Sequence, residues 1–307
     1  MLHNQKIPVI MGPTASGKSD LALFLAREMD GEIVSVDSMQ LYKGLDIGSA
    51  KPTAAERKLV PHHLIDICSF HQRIDVYQYV EMADRVIEDI LSRGKLPVLC
   101  GGTGMYFKAL MYGLDPLPGY LALRTELVAK YDNAAGFEEL KELMRKQDPA
   151  DYERWHSHRR KLIRALEVFT LTGKSITELQ TNKQPELRFP VAARILLWDR
   201  NELRARIALR TGKMLEAGWI EEAKEAIASG ILKSPTAHQA IGYRIIGRYL
   251  AGEIPFDQMR ELIITGTWQY ARRQLTWFKR QHPEAQMVDM PVDRNDFLLN
   301  MKNALKG

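Results

Sequence analysis

One run of eight residues constrains this chain more than any other. Gly12-Pro13-Thr14-Ala15-Ser16-Gly17-Lys18-Ser19 fits the pattern GxxxxGK[ST]. Before it lies the short apolar run Ile7 to Met11, which reads as a buried strand. After it, Lys18 to Met29 carries Leu21, Ala22, Leu25 and Ala26 at helical spacing. A strand, loop and helix in that order turn consecutive backbone N–H groups inward and add the partial positive charge of a helix N-terminus. Glycines are needed because side chains would block the close approach of an anion. Lys18 is expected to reach phosphate oxygens, and the Ser19 hydroxyl to ligate Mg²⁺. The competing reading, an accidental glycine-rich turn, is disfavoured by having strand and helix both in place. The motif specifies polyphosphate binding without saying what is transferred. A nucleoside triphosphate such as ATP is the default ligand, and a prenyl diphosphate presents the same chemistry.

The alternation continues along the chain. Ile33 to Val36 reads as a second strand ending at Asp37, and Leu96 to Cys100 as a third. Between them Val76 to Leu91 carries a helical stripe, with Gly94 just past it. Gly101, Gly102 and Gly104 follow the third strand and lead into a helix through Met111. Strands alternating with helices imply a parallel sheet with right-handed crossovers. After Pro116 and Pro118 the pattern becomes helical to about residue 186; Leu196 to Trp198 reads as one more short strand, and 201–280 is again mainly helical. The fold class expected is α/β: a P-loop-type parallel sheet core flanked by helices, with a mainly helical insertion domain. The core would comprise residues 1–116 and 187–307, and the insertion residues 117–186.

Asp37 stands where the carboxyl ends of parallel strands line the site in open α/β sheets. Three roles compete for it: holding Mg²⁺ through water, acting as general base for an acceptor, or capping the next helix. Ser38, Gln40 and Lys51 lie near it in sequence and could bond a base or a phosphate. Gly101-Gly102-Thr103-Gly104 could bring backbone and a hydroxyl close to a ligand, although glycine clusters more often serve tight turns.

Charge is distributed unevenly. The formal net charge is +5 and the pI about 9.0, which permits nucleic-acid binding without establishing it. Arg159, Arg160, Lys161 and Arg164 place four cations within six residues, which suits a phosphate backbone better than a merely solvated face. Arg206 and Arg210 are four apart on one helix face and could converge on a diphosphate. Trp268, Tyr270, Arg272, Arg273, Trp277, Phe278, Lys279 and Arg280 interleave aromatics with cations. That suits stacking on unpaired bases and equally a helix with its aromatics in the core. The histidine pairs 62–63 and 156, 158 lack metal-ligand spacing and read as surface or hydrogen-bonded histidines. Cys68 and Cys100 cannot build a disulfide framework, which points to a reducing cytoplasm. No apolar run approaches the roughly 18 residues of a membrane span, and residues 1–11 are too short for a secretory signal.

Taken in order, GPTASGKS (12–19), IVSVDSMQLYKGLDIGSAKP (33–52), HHLID (62–66), LPVLCGGTGMYFKAL (96–110), LIRALEVF (162–169), AIGYR (240–244) and ARRQLTWF (271–278) resemble the bacterial tRNA dimethylallyltransferases, also called isopentenyl-pyrophosphate transferases. The phosphate loop alone is common; the segment containing DSMQLYKG is much more specific. The resemblance implies transfer of a dimethylallyl group from dimethylallyl diphosphate to the exocyclic amine of a flipped-out adenosine just 3′ of the tRNA anticodon. It implies that Asp37 is the general base, and that Thr103 and Arg124 lie close to the acceptor or the transferring group. It implies that the loop 12–19, with Mg²⁺ at Ser19, cradles the diphosphate, and that Arg210 binds that diphosphate. It places tRNA contacts at Asp37, Ser38, Met39 and Gln40, at Arg160, Lys161 and Arg164, and at Gln239, Gly242, Tyr243 and Arg244. A monomer acting in the cytoplasm is expected. The sequence departs from the family pattern at Ser19, where many relatives have Thr, and at Trp268, where Arg is frequent. At Trp155-His156-Ser157-His158 it departs from a stretch usually reading His-Pro-Asn-Asp. The zinc finger of some eukaryotic relatives is absent.

Three other readings compete. A P-loop kinase of small metabolites explains the phosphate loop but not the basic helices. A nucleotide-gated RNA-binding protein explains the helices but gives Asp37 no task. A prenyltransferase acting on free adenine nucleotides keeps the chemistry and changes the acceptor.

Overall fold

The computed structural model describes residues 5–114, 117–180 and 186–306. Strands β1 (Ile7–Met11), β2 (Gly31–Val36), β3 (His62–His63), β4 (Leu96–Gly101), β5 (Val191–Leu197) and β6 (Gln286–Asp289) form one sheet. Their spatial order is β3-β2-β4-β1-β5-β6, and every neighbouring pair is parallel. The expected α/β core is therefore present. Its crossovers include helices α1 (Lys18–Glu28), α2 (Ala54–Leu59), α3 (Val76–Ser92) and α4 (Gly104–Tyr112).

Both faces of the sheet are covered, as parallel sheets require. Successive strand residues alternate between two cores. Val9, Met11, Val34, Val36, Ala193 and Ile195 pack into one cluster, and Ile10, Ile33, Ala192 and Leu196 into the other. The apolar stripe of α3 (Tyr79, Ala83, Ile87, Ile90) enters the first, while Leu21, Ala22, Leu25 and Ala26 of α1 enter the second. Polar residues on these strands are paired. Glu32, 5% exposed, accepts two bonds from Arg93 at 2.5 and 2.8 Å and lies 2.7 Å from His63 Nε2. The Arg93 bonds hold its carboxyl down to about 2.

The sequence places a fourth strand at 196–198, whereas β5 runs from Val191 to Leu197. Arg194 interrupts the apolar run; in the fold its guanidinium donates to Asn300 Oδ1 at 2.8 and 3.1 Å and to Ala193 O. Strands β3 and β6 leave no apolar signature, being two residues long and mostly exposed, respectively.

Contacts divide the chain into two compact units, Met1–Gly113 with Leu187–Gly307, and Leu114–Glu186. Pro116, where the sequence marks its change of pattern, lies outside the described residues. The second unit contains α5 (Leu121–Tyr131), α6 (Ala134–Gln147), α7 (Pro149–Trp155), α8 (Arg159–Thr172) and α9 (Ile176–Leu179), packed around Leu140, Met144, Leu162 and Val168. Asp148 caps α7 by accepting from the Asp151 N–H at 3.1 Å, and Asp151 accepts from Ile176 N–H, Thr177 N–H and the Thr177 hydroxyl at 2.7, 3.0 and 2.6 Å. The first unit resumes with α10 (Arg200–Glu216), α11 (Trp219–Ala228), α12 (Tyr243–Leu250), α13 (Phe256–Gln281) and α14 (Arg294–Lys306). No helix among the described residues is long and apolar enough to cross a membrane.

Candidate active site

The phosphate loop joins β1 to α1. Gly17, at its end, adopts φ +86°, a left-handed conformation that suits glycine and starts the helix. Carbonyl oxygens of the loop are held by side chains. Trp198 Nε1 donates to Ser16 O and Arg206 Nε to Ala15 O, each at 2.9 Å, and Lys18 Nζ to Pro13 O at 3.4 Å. With those carbonyls engaged, the first N–H groups of α1, which have no preceding turn to accept them, form a ready anion site. Ser16 Oγ is buried and has no hydrogen-bond partner among the described residues. It points into the fold, 2.6 Å from where a Cβ on Gly12 would lie, and the open side of the loop is formed by Ala15, Gly17, Lys18 and Ser19.

Arg206 and Arg210 converge on this loop, as their spacing on α10 suggests. Arg206 stacks on Trp198 at 4.2 Å while bonding Ala15 O. Arg210 donates through Nη2 to Thr14 Oγ1. Burial pushes the Arg210 guanidinium down to about 10, with the Asp37 charge opposing that effect and Arg206 adding to it. Lys18 is likewise lowered by burial, with the Asp37 charge opposing that effect and Arg210 adding to it. These cations gain by meeting an anion.

Three adjoining cavities run along the loop. The first, about 410 Å³, is lined by Gly17, Lys18, Ser19, Arg206 and Arg210 among others. A narrow one of about 90 Å³ shares Lys18, Ser19 and Arg210 with it and adds Asp37, Cys100 and Tyr270. The third, about 470 Å³, shares Thr14, Asp37, Arg210 and Tyr270 with the narrow one. It is walled by Met39, Trp219, Ile241, Gln239 and Arg273 among others. Asp37 thus stands between a cation-lined cavity and a roomier chamber whose walls mix Met39, Trp219 and Ile241 with polar side chains such as Thr267 and Arg273.

Of the three roles open to Asp37, helix capping is not the one seen. It leaves the end of β2 in a turn, Oδ1 accepting from the Met39 N–H at 2.9 Å. Thr103 supports that turn: its N–H donates to Val36 O at 3.1 Å and its hydroxyl oxygen accepts from Ser38 N–H at 3.0 Å. The second glycine cluster is therefore both a tight junction and a brace. A Cβ on Gly101 would lie 2.1 Å from Val36 O.

Sequence reasoning missed Gln274 of α13. Its Oε1 accepts from Thr14 N–H at 2.9 Å and its Nε2 donates to Gly102 O at 2.8 Å, joining the two glycine-bearing loops. The motif ARRQLTWF contains it, but its spacing gives no sign of this role. The aromatic–basic helix divides its tasks. Phe278 is fully buried, Trp277 packs against Gly104, and Trp268 lies under Arg200, while Tyr270 faces the cavities.

Other candidates sort by exposure and partner. Lys51 is buried and bonded to Asp46, Asp66 and Tyr42 O at 2.7, 2.5 and 2.6 Å, so it is a structural cation rather than a ligand-binding one. Gln40 accepts from the Ser35 hydroxyl at 2.8 Å and donates to Ser49 O and Ala50 O. Gln239 and Arg244 are exposed, whereas Gly242 and Tyr243 are buried, Tyr243 donating its hydroxyl to Glu222 at 2.7 Å. The Tyr243 side chain is a packing element, not a surface contact. In the second unit, Arg160 and Lys161 are exposed. Arg164 instead turns onto Glu167 at 2.7 Å, as does Arg124 at 2.7 Å. Glu167 is fully buried and needs both charges, so these two arginines are committed to an ion-pair cluster. His62 and His63 are hydrogen-bonded, to Val60 O and Glu32.

Residues 40–281 match the family model for IPP transferase. The chain belongs to the IPP transferase family. It is similar to tRNA dimethylallyltransferase 1 of Citrifermentans bemidjiense, with 43% identity over 279 residues and 90% of each chain covered. It is also similar to the tRNA dimethylallyltransferase of Thermotoga petrophila, with 40% identity over 277 residues and the same coverage. Among solved structures, the full-length tRNA isopentenylpyrophosphate transferase of Bacillus halodurans superposes with a TM-score of 0.70 at 34% identity, covering 98% of each chain. A eukaryotic dimethylallyltransferase acting on tRNA superposes with a TM-score of 0.81 at 25% identity, covering 97% of this chain and 77% of that one. The chain is an enzyme of this prenyltransferase type.

Proposed function

We propose that the chain transfers a dimethylallyl group from dimethylallyl diphosphate to the exocyclic amine of the adenosine 3′ of the anticodon in tRNA, releasing diphosphate. The observation that carries this reading is the position of Asp37. It lines both the narrow cavity beside the phosphate loop and the larger chamber.

The donor's diphosphate lies against the loop 12–19, between Lys18 and Arg210. The target adenine, flipped out of its stack, enters the larger chamber beside Tyr270, Met39 and Trp219. The amine nitrogen attacks the allylic carbon, and the C–O bond breaks with its electron pair leaving on the diphosphate. Lys18 and Arg210 stabilise that growing charge. An aromatic amine is a weak nucleophile, so removal of its proton matters. With Oδ1 of Asp37 fixed by the Met39 N–H, Oδ2 accepts that proton as the C–N bond forms. Thr103 acts by holding the Ser38–Met39 turn rather than by touching the reacting atoms.

The residues at the loop fit Mg²⁺. Ser19 is exposed at the first turn of α1 and lines the two cavities that Lys18 also lines. Its hydroxyl and the diphosphate oxygens would hold the ion, which when bound supplies positive charge to the leaving group. Exposed Arg160, Lys161, Gln239 and Arg244 suit contacts to the tRNA backbone. Both cysteines are free and buried, in keeping with a reducing cytoplasm.

The test incubates the protein with Mg²⁺, labelled dimethylallyl diphosphate and unmodified tRNA, with AMP and ATP as parallel acceptors. Label in tRNA is expected. Label in AMP or ATP alone would overturn the acceptor, and phosphoryl transfer without prenyl transfer would overturn the reaction.

A further inference from the structure

Glu222 lies on α11, behind the wall of the larger chamber rather than in it. Its Oε2 accepts from the N–H groups of Asp46 and Ile47, each at 2.7 Å. Its Oε1 accepts from Gly48 N–H at 2.9 Å and from the Tyr243 hydroxyl at 2.7 Å. Three consecutive backbone N–H groups closing on one anion form a nest of the kind that elsewhere binds phosphate. Here a side chain of the same protein fills it, with charge-assisted bonds that are stronger than neutral ones.

We propose that Glu222 is a positioning residue for the acceptor: by filling the 46–48 nest it fixes the segment that walls the adenine chamber. The proposal rests on the reading that this chamber receives the acceptor base. Gly48 and Ser49 line the chamber together with Asp37, Met39 and Trp219. The segment is clasped tightly at Gly48, where a Cβ would fall 2.2 Å from Trp219 Nε1 and 2.4 Å from the Tyr243 hydroxyl oxygen. Its first residue is also held through its side chain, Asp46 accepting from Lys51, which bonds Asp66 as well. Its movement would also reach the general base. Gln40 donates to Ser49 O and Ala50 O at 3.4 and 3.3 Å and accepts from Ser35 at 2.8 Å, so segments 35–40 and 46–50 are joined. Releasing the nest therefore loosens the acceptor wall and the turn that carries Asp37. The phosphate loop is held by other residues, Gln274, Trp198 and Arg206.

The asymmetry gives the test. Steady-state kinetics are measured for wild type, Glu222→Gln and Glu222→Ala, with tRNA and dimethylallyl diphosphate varied in turn. Amide hydrogen exchange at 46–48 is followed in parallel. The alanine variant is expected to lose about 10²-fold in kcat/KM for tRNA, the scale of a misplaced substrate, with a much smaller change in the donor KM, since only Ser49 and Ala50 of the segment reach the cavities beside the phosphate loop. Glu222→Gln keeps one carbonyl acceptor and falls between, and it carries the test if the alanine variant does not fold. Protection at 46–48 is expected to fall in both. A parallel rise in donor and tRNA KM would overturn the proposal, as would wild-type kinetics with the amides deprotected, or retained protection in the variants. A wild-type protein that does not prenylate tRNA would sink the functional reading; the exchange result still decides whether Glu222 fixes the segment.

Discussion

Removing the Gln274 side chain should uncouple the two glycine-bearing loops that it joins. The amide is 6% exposed and makes two bonds, accepting from Thr14 N–H at 2.9 Å and donating to Gly102 O at 2.8 Å. Gln274→Ala strands one N–H and one C=O in the interior. An unsatisfied buried group costs about 1–3 kcal/mol, so the pair should cost about 2–6 kcal/mol, toward the low end if water enters the space. Catalysis should fall further than stability suggests. Thr14 also carries the hydroxyl that receives Arg210, so a tilt of Thr14 moves the arginine proposed to bind the diphosphate, and misplacement by about 1 Å can cost about 10²-fold. Gln274→Glu is the informative companion. It keeps an acceptor for Thr14 but sets a carboxylate oxygen against Gly102 O, and should resemble the alanine variant. Urea unfolding and kcat/KM measure the two effects. A Gln274→Ala protein within about 0.5 kcal/mol of wild type, the range of an ordinary surface change, and with undiminished kcat/KM would refute the reasoning.

Three further outcomes follow from the charges. Glu32 has its folded pKa held to about 2 by Arg93, below its ordinary 4.5; its contribution is whole above that ordinary value and is lost as pH falls towards 2. Urea titrations should therefore show Glu32→Gln less stable than wild type at pH 7, with the gap closing between those limits. Asp148 behaves oppositely: burial, opposed by the Asp151 N–H and reinforced by the Asp151 charge, pushes it up to about 6 from 3.8. That penalty is absent below the ordinary value and complete above about 6, so Asp148→Asn should stabilise the second unit at pH 7.5 and make no difference near pH 3. Arg210→Gln should lower kcat/KM by about 10²–10³-fold through lost charge stabilisation, checked by initial rates with varied donor.

The sequence shows most where a physical requirement has a local signature. A phosphate loop needs glycines, a lysine and a hydroxyl in fixed order between a strand and a helix, so residues 12–19 and their flanks are readable directly. β1, β2 and β4 are buried on both faces and show as apolar runs. β5 is half hidden because Arg194 breaks its run, and its satisfaction by Asn300 comes from a distant helix. β3 and β6 lie at the sheet edges, where little apolar content is required. In the site, the cations Arg206 and Arg210 are readable because four-residue spacing puts them on one face. Glu222 and Gln274 are not, since each looks like any polar helical residue until the backbone N–H groups that face it are brought up from far along the chain. Arg164 and Lys51 mislead for a different reason: local charge shows neither that Glu167, three residues beyond Arg164, is buried nor that Lys51 is itself buried against Asp46 and Asp66.

The account turns on the proposal that Asp37 removes a proton from the acceptor. A single-turnover measurement with Asp37→Asn, donor and tRNA both saturating, tests this most directly, with tRNA affinity determined separately. The amide keeps an acceptor for the Met39 N–H but cannot take up a proton. The expected result is a chemical step slowed by about 10²–10⁴-fold with tRNA affinity nearly unchanged. A chemical step as fast as wild type, or a loss arising wholly from weaker tRNA binding, would contradict it.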